Sequence, residues 1–174
     1  ALPPLMRRPA LLLVPLAVGC AGTETAIQAG RSGWRVLSPA REEIPPYARW
    51  LRGVTVCLDP GHGGDAHRKG WKRGPTGVRE AEVNLRVAWA LRGLLESAGA
   101  RVVMTREADV DVPLQDRAAL AMKSRADVFL SIHHNAVDGK PEVNYTSVWY
   151  HAGIDHSPPS LDLARSVLEG LREA

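Results

Sequence analysis

Two histidines in this sequence follow short apolar runs, a placement that brings side chains to the ends of buried strands. One is His62, in DPGHGG at residues 59–64. The other is His133, in SIHHNA at residues 131–136. A lone histidine beside glycines is more often a loop residue than a ligand. Two neutral imidazoles and one carboxylate, however, are the ligands of a catalytic zinc site with an open fourth position. If the two strand ends converge, the pattern indicates metal-assisted hydrolysis, most naturally of an amide.

The carboxylate and the second histidine each have more than one assignment. Glu80 and Glu82 both lie at the start of a predicted helix, where the helix dipole favours acidic residues with or without a metal. His133 ends an apolar run, where a hydrogen-bonded core histidine is the ordinary case, and His134 follows it directly. Because strand side chains alternate, we expect His134 on the face opposite His133, and Asn135 back on the side of His133. Spacing alone leaves these alternatives open.

Alternating strand and helix patterns predict one α/β domain over residues 54–174. Strands are expected at 54–58, 101–105, 127–132 and 146–150, and helices at 80–98, 114–124 and from 160 onward. The first helix is expected to bury an apolar face that includes Leu94 and to close at Gly99. This order is typical of a mostly parallel central sheet with helices on both faces. Sites in such sheets form at the carboxyl ends of the strands, where both histidine segments lie. A length of 174 residues, 45% of them hydrophobic, suits a single such domain.

The first 22 residues have the pattern of an export signal. Two arginines precede an apolar stretch at residues 10–18, which is too short to span a bilayer as a stable helix. The sequence AVGC, ending at Cys20, resembles a bacterial lipobox and predicts lipidation of Cys20, hence a membrane anchor. Simple secretion and a buried helix are the alternatives. Residues 23–53 are rich in Gly, Ser, Thr, Pro and charged residues and are expected to form a tether.

Charge and cysteine content narrow the classes of partner. The net charge is +3, and the basic residues are scattered among acidic ones rather than gathered in a stripe. This distribution argues against a nucleic-acid partner and suits contact with an acidic polymer such as a cell wall. Cys20 and Cys57 lie in unlike settings, so no disulfide between them is expected.

Four motifs occur in an order and spacing that resemble a known family. They are DPGHGG at 59–64, Glu80 four residues before Asn84-Leu85, Thr105-Arg106, and SIHHNA at 131–136. Together they resemble the zinc-dependent N-acetylmuramoyl-L-alanine amidases of the type 3 family. In that family the histidine of the first motif, the glutamate before Asn-Leu and the first histidine of the last motif bind zinc. The resemblance therefore assigns the zinc ligands as His62, Glu80 and His133, in preference to Glu82 and His134.

The resemblance also implies a function and a location. It implies an exported enzyme of the cell envelope that uses zinc to cut the amide bond between N-acetylmuramic acid and L-alanine in peptidoglycan. His134 then has a structural role, and Asn135 is a candidate for orienting the substrate.

One catalytic part of the family has no match in this sequence. The family has a second glutamate near its carboxyl end that acts as the general base. Glu142, Glu169 and Glu173 do not match its position, so we expect the base beyond Ala174, a domain incomplete at its C terminus, and low or no activity in the chain as given. The alternative function is a non-catalytic, zinc-containing module that binds the cell wall or regulates another protein.

Overall fold

Strands and helices alternate along the part of the chain that the computed structural model describes, which is residues 10–15, 50–68, 72–74, 77–135, 145–151 and 158–173. The elements in chain order are β1 (Ala10–Pro15), β2 (Thr55–Pro60), α1 (Glu80–Ser97), β3 (Arg101–Met104), α2 (Leu114–Lys123), β4 (Val128–His133), β5 (Trp149–Tyr150) and α3 (Pro158–Glu173). The helices and the strands β2 to β4 lie within a few residues of their predicted bounds, while β5 is shorter than predicted.

The five strands form one sheet in the order β3-β2-β4-β1-β5. The first four are parallel, and β5 pairs antiparallel with β1. Pro60 at the end of β2 is in register with Ile132 in β4, one residue before His133. The segment after β2 and the end of β4 therefore leave the sheet at the same edge. The predicted α/β class with a mostly parallel sheet is confirmed.

Helices α1 and α2 cover opposite faces of this sheet. Leu58 of β2 packs in a core cluster with Ala88 of α1, whereas Cys57, the preceding residue, packs with Ala121 of α2. Neighbouring strand residues point to opposite faces, so the two helices must lie on different sides, as predicted. Helix α3 adds a smaller cluster around Ala164.

Helix α1 ends as predicted but buries a different set of residues. Gly99 has a φ of 93° and its N–H donates to a carbonyl of the last helical turn, which confirms its role in closing the helix. The buried residues of α1 are Glu80, Ala81, Asn84 and Ala88. Leu94, which the apolar pattern placed on the buried face, is 45% exposed. Small alanines allow the helix to approach the sheet closely, so the buried stripe follows residue size as well as hydrophobicity.

Residues 10–15, the apolar part of the predicted export signal, form strand β1 and pair with β4 along the whole strand. A continuous apolar run suits a strand inside a parallel sheet as well as an export signal, so export remains a prediction. The remainder of the 1–22 segment, including Cys20, and residues 23–49 of the predicted tether lie outside the described residues. Leu51, near the end of that tether, packs against the core beside α1. Among the residues described, no helix has the length and apolar character needed to cross a membrane.

Candidate metal centre

His62, Glu80 and His133 meet at the carboxyl edge of the sheet. Nε2 of His62 lies 3.2 Å from Oε2 of Glu80, and Nδ1 of His133 lies 3.0 Å from Oε1 of the same carboxylate. The two imidazole centroids are 4.8 Å apart, with the rings almost perpendicular. One ligand atom from each residue lies within 4.8 Å of the others. The two contacts with Glu80, at 3.2 and 3.0 Å, are close to the separation of about 3.4 Å between two donors of one tetrahedral ion at metal–ligand distances of about 2.0–2.2 Å.

The carboxylate in this cluster is buried and remains charged. The side chain of Glu80 is 7% exposed, whereas those of His62 and His133 are each 25% exposed. Burial alone would raise the pKa of Glu80, but hydrogen bonds to His133 and His62 outweigh burial and hold the pKa far below its usual range. A buried anion next to two imidazole nitrogens is a suitable environment for a cation. Access from solvent is on the histidine side.

The residues on either side of His62 must be glycine for steric reasons. A Cβ on Gly61 would lie 2.2 Å from ring atoms of His133, and one on Gly63 would lie 2.2 Å from the carbonyl oxygen of Val110. His62 itself has a φ of 60°, a left-handed conformation that non-glycine residues seldom adopt. Close packing of the two ligand-bearing segments therefore depends on the absence of side chains beside His62.

Asp59 joins the strand ends beneath the metal centre. It is 5% exposed and accepts hydrogen bonds from the Thr105 hydroxyl at 2.6 Å, the Ser131 hydroxyl at 2.7 Å and Nη1 of Arg117 at 2.7 Å. These donors come from the residue after β3, from β4 and from α2. One carboxylate thus links four elements that converge on the site.

Two buried arginines hold the backbone around His62. Nη2 of Arg117 donates to the carbonyl of His62 at 3.0 Å, and Nη1 donates to that of Pro60 at 3.1 Å. Arg106 donates to four main-chain carbonyls, including that of Pro60. Burial, reinforced by repulsion from Arg117, lowers the pKa of Arg106 to about 10, which leaves it protonated at neutral pH.

Sequence reasoning did not assign a role to either arginine. The sequence identifies Arg106 only as part of a family motif, and no motif includes Arg117. A signal for Arg117 existed in its spacing of four from Ala121, since both are buried on α2. Apolar character alone does not identify this face, because the apolar Leu114 on the same helix is 82% exposed.

His134 is tied to the site through Asn84. The Asn84 side-chain amide donates to the carbonyl of Gly61 at 3.0 Å, so its oxygen is the group that faces Nδ1 of His134 at 2.7 Å. Nδ1 must then carry the proton. Burial lowers the pKa of His134, in keeping with a neutral ring.

The prediction that His134 and His133 lie on opposite faces is wrong. Strand β4 ends at His133, so the alternation of strand side chains does not extend to the next residue. Both rings instead contact side chains of α1, where His133 reaches Glu80 and His134 reaches Asn84. The backbone N–H of His134 also donates to Glu80 at 3.1 Å.

A second group of charges lies beside the metal centre. Arg79 donates to Asp65 at 2.9 Å and to Asp109 at 2.7 Å, and Asp109 also accepts a hydrogen bond from the backbone N–H of Gly64 at 2.9 Å. The hydrogen bond from Arg79 lowers the pKa of Asp109. These contacts connect the glycine segment to the residue immediately before Glu80.

The structure does not bring the other candidate residues into the cluster. Glu82 pairs with Arg86 at 3.3 Å rather than with a histidine, and Asn135 is exposed just beyond β4. Glu169 and Glu173 are exposed and outside the cluster, and so are two further histidines, His67 and His151. Glu142 and His156 lie outside the described residues.

Comparison with known proteins gives a consistent family match. Residues 56–174 match the family model described as N-acetylmuramoyl-L-alanine amidase. The chain is 45% identical over 86 residues to the N-acetylmuramoyl-L-alanine amidase AmiC of Escherichia coli, an alignment that covers 49% of this chain and 20% of that protein. It is 34% identical over 120 residues to the germination-specific N-acetylmuramoyl-L-alanine amidase of Bacillus subtilis, covering 60% of this chain and 48% of that protein.

A solved structure supports the fold. The N-acetylmuramyl-L-alanine amidase Ami1 of Mycobacterium smegmatis superposes with a TM-score of 0.50 at 24% identity, covering 66% of this chain and 62% of that one. At this identity the likeness concerns the fold alone. The chain spans between 20% and 48% of the length of the two sequence relatives named above.

Proposed function

Because the chain belongs to the N-acetylmuramoyl-L-alanine amidase family, we propose that its site hydrolyses the amide bond between N-acetylmuramic acid and L-alanine in peptidoglycan, with zinc as cofactor. The observation that carries the proposal is the cluster of His62, Glu80 and His133, whose ligand atoms lie within 4.8 Å of one another. The activity is proposed for the whole protein, since the chain spans 20% and 48% of the two relatives' lengths.

The donor set suits zinc better than a hard cation. Two imidazoles and one carboxylate leave a fourth tetrahedral position for a substrate or water, whereas calcium and magnesium prefer oxygen ligands. A zinc ion held there would supply a Lewis acid that polarises the scissile carbonyl and lowers the pKa of water to about 7. The 25% exposure of each histidine supports entry of a polymer substrate from that side.

The surrounding residues have supporting roles in this proposal. Glu80 compensates the charge of the cation from its buried side. Asn84 fixes the tautomer of His134, so that His134 acts as a structural residue beside the centre. Asn135, which is exposed two residues after His133, is proposed to orient the substrate.

The alternative is a non-catalytic, zinc-containing module that binds or regulates at the cell wall. Such a module would need only the metal ligands, and among the described residues Glu80 is the only carboxylate in the histidine cluster, with both of its oxygens in contact with histidines. Hydrolysis also needs a group that accepts a proton from the attacking water. Glu169 and Glu173 are exposed on α3 and do not meet this need.

We further propose export to the cell envelope and lipidation at Cys20, which rest on the sequence alone. A substrate in the cell wall requires export, and the AVGC sequence supplies a cysteine in a lipobox-like context. Metabolic labelling with a fatty-acid analogue should mark the wild-type protein and not Cys20→Ser. Equal labelling of both proteins would contradict the assignment.

Zinc content and wall cleavage test the two parts of the function separately. We expect about one zinc per chain in the wild type and a loss of zinc in His62→Ala and His133→Ala. His151→Ala, which changes an exposed histidine outside the cluster, is the matched control and should retain zinc. Incubation of the whole protein with peptidoglycan should release free amino termini of L-alanine.

The outcomes separate the hypotheses. Wild-type zinc content in both cluster variants would refute the metal centre. If both variants lose zinc, but the whole wild-type protein binds peptidoglycan without releasing alanine amino termini, the amidase proposal fails and the binding module is supported.

A further inference from the structure

Arg106 is a buried cation whose hydrogen bonds all go to the main chain. It is 3% exposed, with Nε 2.7 Å from the carbonyl oxygen of Pro60 and Nη1 3.0 Å from that of Ala108. Among the described residues it forms no ion pair with a carboxylate, unlike Arg117, which pairs with Asp59. A buried guanidinium without a paired anion is stable only if its N–H groups are satisfied. The hydrogen bonds therefore fix Arg106 in place and, in turn, hold these carbonyls in position.

One nitrogen of Arg106 joins the two backbones that carry proposed metal ligands. Nη2 donates to the carbonyl of Gly61 at 2.9 Å and to that of Ala81 at 2.7 Å. Gly61 immediately precedes His62, and Ala81 immediately follows Glu80. The guanidinium thus bridges the loop after β2 and the first turn of α1. Its rigid, planar set of donors limits relative movement of these two segments.

We propose that Arg106 is a positioning residue that sets the separation of His62 and Glu80 and thereby the affinity for the metal. The inference rests on the zinc centre proposed above. Removing a group that orients the metal ligands from outside typically weakens metal binding about 10- to 100-fold. Arg106 acts on the ligands through the backbone rather than on the substrate.

Substitution of Arg106 by lysine tests whether the positive charge alone is sufficient or whether the planar guanidinium is needed. Arg106→Lys keeps a positive charge but replaces the planar fork by one nitrogen, which cannot reach four carbonyls on different segments. The carbonyls of Gly61 and Ala81 would then no longer share a donor, and the two ligands would be less well fixed. A purely structural role would instead lower stability without changing the metal affinity of the folded protein.

The test measures the zinc dissociation constant of the full chain by competition with a chromophoric chelator, alongside urea unfolding of the metal-free protein. We expect zinc binding to weaken about 10- to 100-fold in Arg106→Lys, with an altered visible spectrum when cobalt replaces zinc. Arg92→Lys is the control, since Arg92 lies on α1, the helix that carries Glu80, but pairs with the partly exposed Glu96 and Glu107. If Arg106→Lys does not fold, Arg106→Gln, which has a planar amide without charge, is measured with the same expectation.

Three outcomes decide the inference. Weaker zinc binding and an altered cobalt spectrum in the Arg106 variant, with wild-type values in Arg92→Lys, support it. Wild-type zinc affinity in a folded Arg106 variant overturns it and leaves the metal centre intact. Absence of zinc binding by the wild type overturns both the metal centre and this inference.

Discussion

Replacing Asp59 by Asn should destabilise the fold strongly, because Asp59 is the buried anion that pairs with Arg117. The carboxylate is 5% exposed and accepts three hydrogen bonds of 2.6–2.7 Å from Thr105, Arg117 and Ser131. Asparagine has almost the same shape but only one acceptor oxygen and no negative charge. The buried Arg117 would lose its counter-ion.

Removing one partner of a buried ion pair typically costs about 3–5 kcal/mol. For a chain of this size, each kcal/mol shifts the melting temperature by about 2–4 °C, so the expected decrease is about 6–20 °C. Zinc affinity should also fall, because Arg117 donates to the carbonyl of His62. Urea unfolding monitored by circular dichroism and chelator competition measure the two effects.

The control is Asp162→Asn, the same chemical change at an exposed site. Asp162 lies 3.9 Å from Arg165 on α3, and both side chains are more than 60% exposed, at 72% and 67%. We expect a change within about 0.5 kcal/mol there. A double variant, Asp59→Asn with Arg117→Met, should lose less stability than the two single variants combined. A loss below about 1 kcal/mol in Asp59→Asn would refute the argument from the buried pair.

Three further perturbations follow from individual contacts. Gly61→Ala should cost about 1–3 kcal/mol and weaken zinc binding, because its Cβ would lie 2.2 Å from the His133 ring; unchanged melting and zinc affinity would contradict this. The hydrogen bond from Arg79 lowers the pKa of Asp109, so its stabilisation is present above about pH 4 and is lost as pH falls through the folded-state pKa. Urea midpoints should therefore show that the wild type is more stable than Asp109→Asn at pH 7, and that the difference narrows in acid. A difference that widens in acid would contradict the stabilising role of the Asp109 carboxylate. Burial raises the pKa of Cys57 to about 11, so thiol alkylation followed by mass spectrometry should modify it only after unfolding, and rapid modification of the native protein would count against the packing.

Local patterns in the sequence predict most of the elements. Helix α1 was expected to begin at Glu80 and close at Gly99, and both features are observed. These signals are local, because a capping glycine and an apolar period act within a few residues. Bounds that depend on more distant pairing were less accurate, as in the short strand β5.

Side-chain orientation was predicted less well than element type. Leu94 is exposed although the apolar pattern placed it on the buried face of α1, and on α2 the apolar Leu114 is exposed whereas Arg117 is buried. Burial depends on which neighbour covers a helix and how closely it approaches, and a single sequence does not contain that information. The orientation of His134 was missed for a related reason, since β4 ends one residue earlier than the alternation argument required.

The sequence by itself determined the residue types and their order, namely histidines after two strands and a glutamate at the start of a helix, and the family resemblance selected His62, Glu80 and His133 from the alternatives. Only the tertiary structure decided how this site is supported. Arg106 is 45 residues from Gly61 in the chain, and Arg117 is 58 residues from Asp59. Their hydrogen bonds form because parallel strands bring distant strand ends to one edge of the sheet. A buried cation is stable there only when carbonyls and a carboxylate from several elements converge on it.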